Sequence, residues 1–335
     1  MKAPRLAVCV VGFAVLVLIG GCRTVALHVP VLRPAEINMA KYKQVAVAEI
    51  GGNNGRAMAD KLNEALVESG RFSVVDRQNL DRIIKEQGLS ASDLTDPNTA
   101  AKLGKVMAAS AMIFGTGEKD YKETMKKESG TCTKYEGKKA TKYACTTYTR
   151  IGSIKVKGTL KVVDVETGQI LKTKTLPCEK NVATSKTDGD PDRIDPEPIQ
   201  EACVGMIVSM FMKAIAPYKE IVEAKFVKDG DMPSMEQGIN QAKLGDWTNA
   251  VETFKAAVDS GAKNPKTSQS TLAKGWWNLG LALEYSGQFD EALKALKKAY
   301  ELNPDDECLN EVKNVEKRKA EQKKLQEQEA TGGSQ

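Results

Sequence analysis

Several residue groups have types and spacings that invite chemistry, and most fail on a missing partner. Gly51-Gly52-Asn53-Asn54-Gly55 follows a strand-like run and opens a helical one, a context in which backbone N–H groups can cradle an anion. It lacks the Gly-Lys-Ser/Thr of a phosphate loop and a full G-x-G-x-x-G, so a structural turn is expected. Asp188, Asp190 and Asp192 have the first spacings of a calcium loop. The match breaks at Arg193, where the sharp-turn glycine belongs, and at Ile199, where the bidentate glutamate belongs. A solvated acidic loop is the expectation, and Glu64 and Glu68 read as a solvated helical pair. The only histidine is His28, outside the body expected to fold, which removes histidine-dependent triads and histidine metal sites. No enzyme, metal or cofactor follows from these residues.

The cysteines carry more. Lys2 and Arg5 precede an apolar stretch from Leu6 to Ile19 that ends at Gly20-Gly21-Cys22. The stretch is shorter than the roughly 20 residues needed to cross a bilayer, so residues 1–21 read as a signal peptide. Ile19-Gly20-Gly21-Cys22 resembles the lipobox of bacterial lipoproteins, which implies diacylglycerol on the Cys22 sulfur; the alternative is an ordinary signal peptide with a free or disulfide-bonded Cys22. Each buried methylene of such a lipid contributes about 0.8 kcal/mol to anchoring. Arg23 rather than Asp follows the cysteine, and the resemblance then implies the outer membrane, with the body facing the periplasm. In an exported chain, cysteines lean towards disulfides. Cys132 with Cys145, flanking a Lys-, Tyr- and Gly-rich segment that could be a hairpin, and Cys178 with Cys203 are the candidate pairs. Cys308 is left over, and the absence of a close Cys-x-x-Cys argues against zinc.

The chain of 335 residues has a formal charge of +5, which falls to +3 once Lys2 and Arg5 leave with the leader. This reads as a mild excess spread over many Lys and Glu residues rather than a basic stripe, so nucleic acid is not an expected partner. Nothing after Cys22 reads as apolar enough to span a membrane. Residues 22–41, with Pro30 and Pro34, read as a lipidated tether. An α/β alternation then runs over 42–218. It comprises a strand at Gln44–Ile50, a helix at Arg56–Ser69 with Met58, Leu62, Ala65 and Leu66 on one face, and a strand at Phe72–Val75. A helix capped by Asp76 follows (Leu80, Ile83, Ile84), then one opened by Asp96-Pro97 (Ala101, Leu103, Val106). A strand at Ser110–Gly115 leads through a polar excursion to a hairpin, Ile154–Val165 with Gln169–Leu176, and Ile199–Ile215 returns to helix.

The second half changes period. Trp276, Leu279, Gly280, Gly287, Phe289, Ala292, Ala299 and Pro304 match the tetratricopeptide pattern over 273–306. Gly245, Trp247, Ala250, Phe254 and Ala257 repeat its second half, so two repeats are placed at 231–306. Two are fewer than the roughly three usually needed to bury a solenoid core. A capping helix with Leu309, Val312 and Val315 is therefore expected in 307–335, ending in a solvated helix or frayed charged tail. By resemblance to tetratricopeptide domains, a partner groove would be lined by Ile239, Lys243, Lys274, Trp277, Leu281, Glu284 and Tyr285, suited to an extended peptide or its carboxylate.

VAVAEI, RFSVVDRQNLDRIIKEQGLS, AAKLGKVMAASAMIFGTG and LKVVDVETGQIL together resemble the CsgG family, which includes the curli secretion lipoprotein; Val74-Val75-Asp76-Arg77 followed by Glu86-Gln87 is the most specific part. The resemblance implies an α+β, CsgG-like open sheet with flanking helices, here followed by all-α repeats. It also implies a lipid-anchored protein able to form homo-oligomers, related in fold to lipoproteins that activate peptidoglycan synthases. The pore-forming member inserts two hairpins per subunit, and the corresponding insertions here are Asp120–Arg150 and Lys172–Pro198. Neither supplies the roughly 9 to 11 residues of alternating apolar side chains that a lipid-facing strand needs. The reading favoured is a non-enzymatic envelope adaptor that binds envelope proteins or peptides through its groove in assembly or export. A secretion channel and a peptidoglycan-synthase activator are the alternatives. Replacing Cys22 by serine is expected to move the protein from the membrane to the soluble fraction, and intact mass of the native chain should show diacylglycerol; an unmodified Cys22 sulfur in the membrane-bound chain would refute the lipid reading.

Overall fold

The computed structural model describes residues 23–75, 98 and 109–330. The leader, Cys22, both helices expected between Asp76 and Val106, and Arg77 with Glu86-Gln87 lie outside the described residues. The chain divides into two compact units: Leu32–Glu220 with the chain from Glu321, and Ile221–Ala320 with the chain up to Val31.

The first unit is built on a five-stranded sheet in the order β3-β2-β4-β5-β6, from β2 (Gln44–Gly51), β3 (Ser73–Val74), β4 (Ala111–Glu136), β5 (Lys139–Asp164) and β6 (Ile170–Thr187). β3 and β4 run parallel to β2, and β5 and β6 extend the sheet antiparallel. Val45, Ala46, Val47 and Ala48 are all buried, the continuous apolar run expected of a parallel strand covered on both faces. Helices α1 (Gly55–Glu68) and α2 (Glu197–Ile215) lay Met58, Leu62, Leu66, Ile207 and Phe211 into one core with Ile154, Val156, Leu160 and Val162. The β2–α1 turn is tight: a Cβ on Gly55 would lie 1.7 Å from the Ile50 carbonyl oxygen, so only glycine fits. The Cys178–Cys203 disulfide ties β6 to α2.

Two expectations for this unit need correction. The segment read as a polar excursion is the distal half of a hairpin whose strands, β4 and β5, each run 26 residues and pair without a break from Ala111↔Asp164 to Glu136↔Lys139. Its outer part is exposed on both faces, so no apolar alternation marks it; backbone pairing and its Thr and Tyr residues hold it as strand. Cys132 and Cys145 are disulfide-bonded across this ribbon. The second correction concerns α2, which is long and apolar enough to pass for a membrane span, although it buries Ile199, Cys203, Val204, Ile207, Val208 and Phe211 in the core.

The second unit contains α3 (Ser234–Lys243), α4 (Trp247–Lys263), α5 (Gln269–Tyr285), α6 (Phe289–Leu302) and most of α7 (Asp306–Ala330). Asp246 caps α4 by accepting from the Asn249 amide, and Ser268 caps α5 by accepting from that of Thr271. The α5–α6 pair closes because Gly280 has no side chain: a Cβ there would meet Leu296 Cδ2 at 2.7 Å. Residues 22–41 were expected to be a spacer, yet Arg23–Arg33 is strand β1, paired with β7 (Tyr218–Lys228) in a two-stranded sheet. The reason is period-two burial: Val29 and Val31 are buried and Val25 and Leu27 half-buried, while Ala26, His28, Pro30 and Leu32 are exposed. The charged end of α7 is likewise no frayed tail, since it stays helical to Ala330. In the first unit Leu325 is buried, and the Gln328 side chain donates to the Ala35 carbonyl (3.0 Å) and accepts from the Ala35 amide (3.1 Å).

At the end of β5, buried Asp164 accepts from the Glu166 and Thr167 amides, the Tyr42 hydroxyl at 2.7 Å and Lys41. Burial raises its carboxyl, and these donors outweigh that and hold it down at about 2. Asp164→Ala should cost about 2–3 kcal/mol in urea unfolding, against about 1 for Tyr42→Phe. Because the folded-state value is depressed, the Asp164 contribution is present above about pH 4 and lost as pH falls towards 2.

Candidate functional site

The groove positions proposed from the repeats lie on α3 and α5, and the structure shows what each one meets. Ile239 and Leu281 are buried in the core. Lys243 Nζ reaches Asn240 at 3.3 Å on its own helix. Lys274 Nζ pairs with Asp229 at 2.8 Å, and Trp277 Nε1 donates to the Lys225 carbonyl at 2.8 Å. Beside them stands Asn278, which sequence reasoning missed. Its Nδ2 donates to the Val227 carbonyl (2.7 Å) and its Oδ1 accepts from the Val227 amide (2.9 Å), so one side-chain amide takes both backbone groups of a strand residue.

Lys274, Trp277 and Asn278 grip an extended segment, and the segment is the chain's own β7 and the residues just after it. Phe226, fully buried, stacks on Phe254 with ring centroids 5.8 Å apart. The open groove expected from the repeats is thus filled in cis. The physical reason is the one that made a capping element necessary: two helical pairs do not close a core. The signal that could have found it is the alternation of Val222, Ala224 and Phe226 in β7.

At the other end of α5, Glu284 and Tyr285 face α7. Arg318 Nη1 donates to Glu284 Oε1 at 2.5 Å, and its guanidinium lies 4.6 Å from the Tyr285 ring centroid and 5.8 Å from that of Phe289. Trp247 packs on Tyr285 at 5.2 Å. Burial, then the Glu311 carboxylate, push the Glu284 carboxyl up to about 8 against the pull of Arg318. Glu284 Oε2 is buried with no hydrogen-bond partner. The burial and the neighbouring Glu311 thus favour the neutral form of this carboxyl, and Arg318 favours the charged one.

What remains open is a cleft of about 340 Å³ beside β7, lined among others by Thr24, Lys225, Lys274, Trp277, Asn303 and Cys308. The Cys308 thiol lies 3.2 Å from the Leu296 carbonyl, and burial pushes it up to about 11, so it is no nucleophile at neutral pH. The other sequence candidates have structural partners. Asn53 pairs with both backbone groups of Lys119, and Asn54 holds Gly117 and Gln200. Asp188 accepts from the Thr146 amide, and Arg150 takes Asp190 at 2.9 Å and 3.0 Å and Glu123 at 2.5 Å, pinning the acidic loop to the hairpin. Among the described residues no cluster of three or more His, Cys, Asp or Glu is placed to hold a metal.

An open mixed sheet flanked by helices, followed by helical repeats that hold an extended strand, defines an α+β domain joined to an interaction module. Residues 34–190 are a CsgG domain, matching the family described as curli production assembly/transport component CsgG, and residues 273–306 are a tetratricopeptide repeat. No curated protein matches the chain. Among solved structures, the LpoB C-terminal domain from Salmonella enterica is similar at 15% identity and TM-score 0.26, covering 41% of this chain and 83% of that one. Lipoprotein GNA1162 from Neisseria meningitidis matches at 16% identity and TM-score 0.25, covering 50% of this chain and 94% of that one. The PelC dodecamer from Paraburkholderia phytofirmans matches at 13% identity and TM-score 0.26, over 57% and 99%. The CsgG domain marks the chain as a protein of the cell envelope.

The raised Glu284 carboxyl makes a pH prediction. Its folded-state value near 8 lies above the ordinary carboxyl value of 4.5, so its contribution to stability is full below about pH 4.5 and is lost as pH rises through about 8. Melting temperature of the native chain should fall across that window, and Glu284→Gln, which keeps the shape and stays neutral, should flatten the decline.

Proposed function

We propose that this protein is a lipid-anchored adaptor of the outer membrane, facing the periplasm, which recruits envelope proteins in assembly or export and catalyses nothing itself. The observation that carries the reading is the union of a CsgG domain with a tetratricopeptide unit whose peptide-gripping side chains hold β7 and leave a cleft beside it. With the groove occupied, a partner is met at this cleft, where the indole of Trp277 and small Ala273 and Ala299 lie among charged residues. Aromatic anchors set in a polar rim are the usual makings of a protein contact.

A channel of this chain alone is disfavoured by the same hairpin that resembles an insertion. Beyond Asp120 its faces carry Lys122, Glu123, Lys126, Lys127 and Glu128, and a lysine on a lipid face costs about 2–4 kcal/mol at the bilayer midplane, a carboxylate less. In-cell photo-crosslinking from Ser270 and Asn303, on the cleft, should give a discrete adduct with an envelope protein, and from Lys255, exposed on α4, it should not. The adaptor reading fails if the cleft positions crosslink no better than the control, or if the lipidated protein conducts ions in discrete steps across a planar bilayer.

A further inference from the structure

The charge of the molecule is not spread as the composition implies. Residues 126–142 hold six lysines, at positions 126, 127, 134, 138, 139 and 142, against Glu128 and Glu136, a net +4. The chain after Cys22 carries +3 in all, so everything outside this segment sums to −1. The segment is the far end of the β4–β5 hairpin. β6 stops pairing at Thr147↔Thr187, and beyond that point β4 and β5 continue as a two-stranded ribbon of eight residue pairs, from Ser129↔Thr146 to Glu136↔Lys139, with Lys126 and Lys127 at its base. At about 3.4 Å per residue the ribbon reaches roughly 30 Å past the sheet.

Register places the side chains. Residues opposite each other in an antiparallel pair share a face, and successive ones alternate. Lys127, Tyr135 and Lys142 therefore stand on one face, and Lys126, Lys134, Lys139 and Tyr143 on the other with Glu128 and Glu136, the latter paired with Lys134 at 2.9 Å, and Lys138 lies in the turn. Tyr135 is 73% and Tyr143 41% exposed. The ribbon is stiffened by the Cys132–Cys145 disulfide and at its base by the contacts of Arg150 with Glu123 and Asp190. Amines and phenols thus radiate from both faces and from the tip of a rigid finger, with no single face on which a flat partner would seat.

We propose that the hairpin tip is a peripheral docking element for an anionic phospholipid surface. A headgroup layer is a medium that surrounds what enters it, which suits a finger charged on both sides. Lysines near such a surface are attracted to its phosphates, and tyrosine rings settle at the headgroup level. The same lysines keep the strands from passing deeper, because the alternating apolar side chains of a spanning strand are missing. This contact is separate from lipid on Cys22 and does not depend on the adaptor reading.

The test uses the chain from Arg23 to Gln335, which contains every described element and carries no lipid. Co-sedimentation with vesicles of phosphatidylcholine containing about three parts in ten phosphatidylglycerol should exceed that with phosphatidylcholine alone by roughly tenfold, and should decline as salt shortens the Debye length. Reversing the tip (K134E, K138E, K139E and K142E together) should return binding to the neutral-vesicle level, with the Cys132–Cys145 bond verified by non-reducing mass analysis. The milder pair K138Q and K139Q, in and beside the exposed turn, should give a partial loss of roughly threefold without touching the fold. Equal partition onto both vesicle types overturns the proposal, as it would for a tip that meets an acidic protein instead. Full binding by the reversed variant overturns it as well.

Discussion

The second unit depends on one contact, the seating of β7 on the helical repeats. Two helix pairs leave an apolar face uncovered, and Phe226 fills it while the Asn278 amide satisfies both backbone groups of Val227. A strand buried against helices would otherwise strand an N–H and a C=O away from water, at a cost comparable to the hydrogen bonds lost. Asn278 is fully buried for that reason, and β1 completes the pairing on the strand. Trp277 and Lys274 join the same clamp from the next turns of α5. A recognition surface has become a structural joint without changing its chemistry.

This explains which parts were legible in the sequence. The core strand β2, the α1 face and the helices of the repeats were readable because burial imposes a period, and each carries apolar residues at that period over a full element. Cys132 with Cys145 and Cys178 with Cys203 bonded as their positions suggested. Besides β7, two missed elements, β1 and the outer hairpin, fail for opposite reasons. β1 does alternate, but Pro30 and the lone histidine drew it towards a spacer; proline is tolerated within a two-stranded ribbon, which is edge throughout. The outer hairpin has no buried face at all, so its strands follow from pairing that only three dimensions display.

The site divided the same way. Resemblance named Lys274, Trp277, Leu281, Glu284 and Tyr285 as lining a partner groove along α5; instead Lys274 and Trp277 hold the chain's own β7 and the residues after it, Leu281 is buried in the core, and Glu284 and Tyr285 face α7. What it could not supply was their occupant, because β7 lies some 50 residues before α5 in sequence and is held partly through its backbone, at Lys225 and Val227, as well as through the Phe226 ring. Asn278 left no trace for a related reason: a buried asparagine is conspicuous only once the backbone groups it satisfies are known.

The hairpin and the groove impose complementary limits on where this molecule can meet others. An exposed ribbon of eight residue pairs is a hazard, since open strand edges invite pairing with other chains. Here lysines at six of the positions between 126 and 142 keep like ribbons apart, a disulfide fixes the register, and Pro177 interrupts the outer edge of β6 at the hairpin's base. Such protection is worth its cost in self-repulsion only if the ribbon must stay extended and exposed. A loop that merely connected β4 to β5 would be stable at a few residues, since hairpin turns need no more. Length, rigidity and charge in one projecting element are what the proposed surface contact of its tip requires, while the groove, already filled, leaves the proposed partner contact of the helical unit to the cleft beside β7.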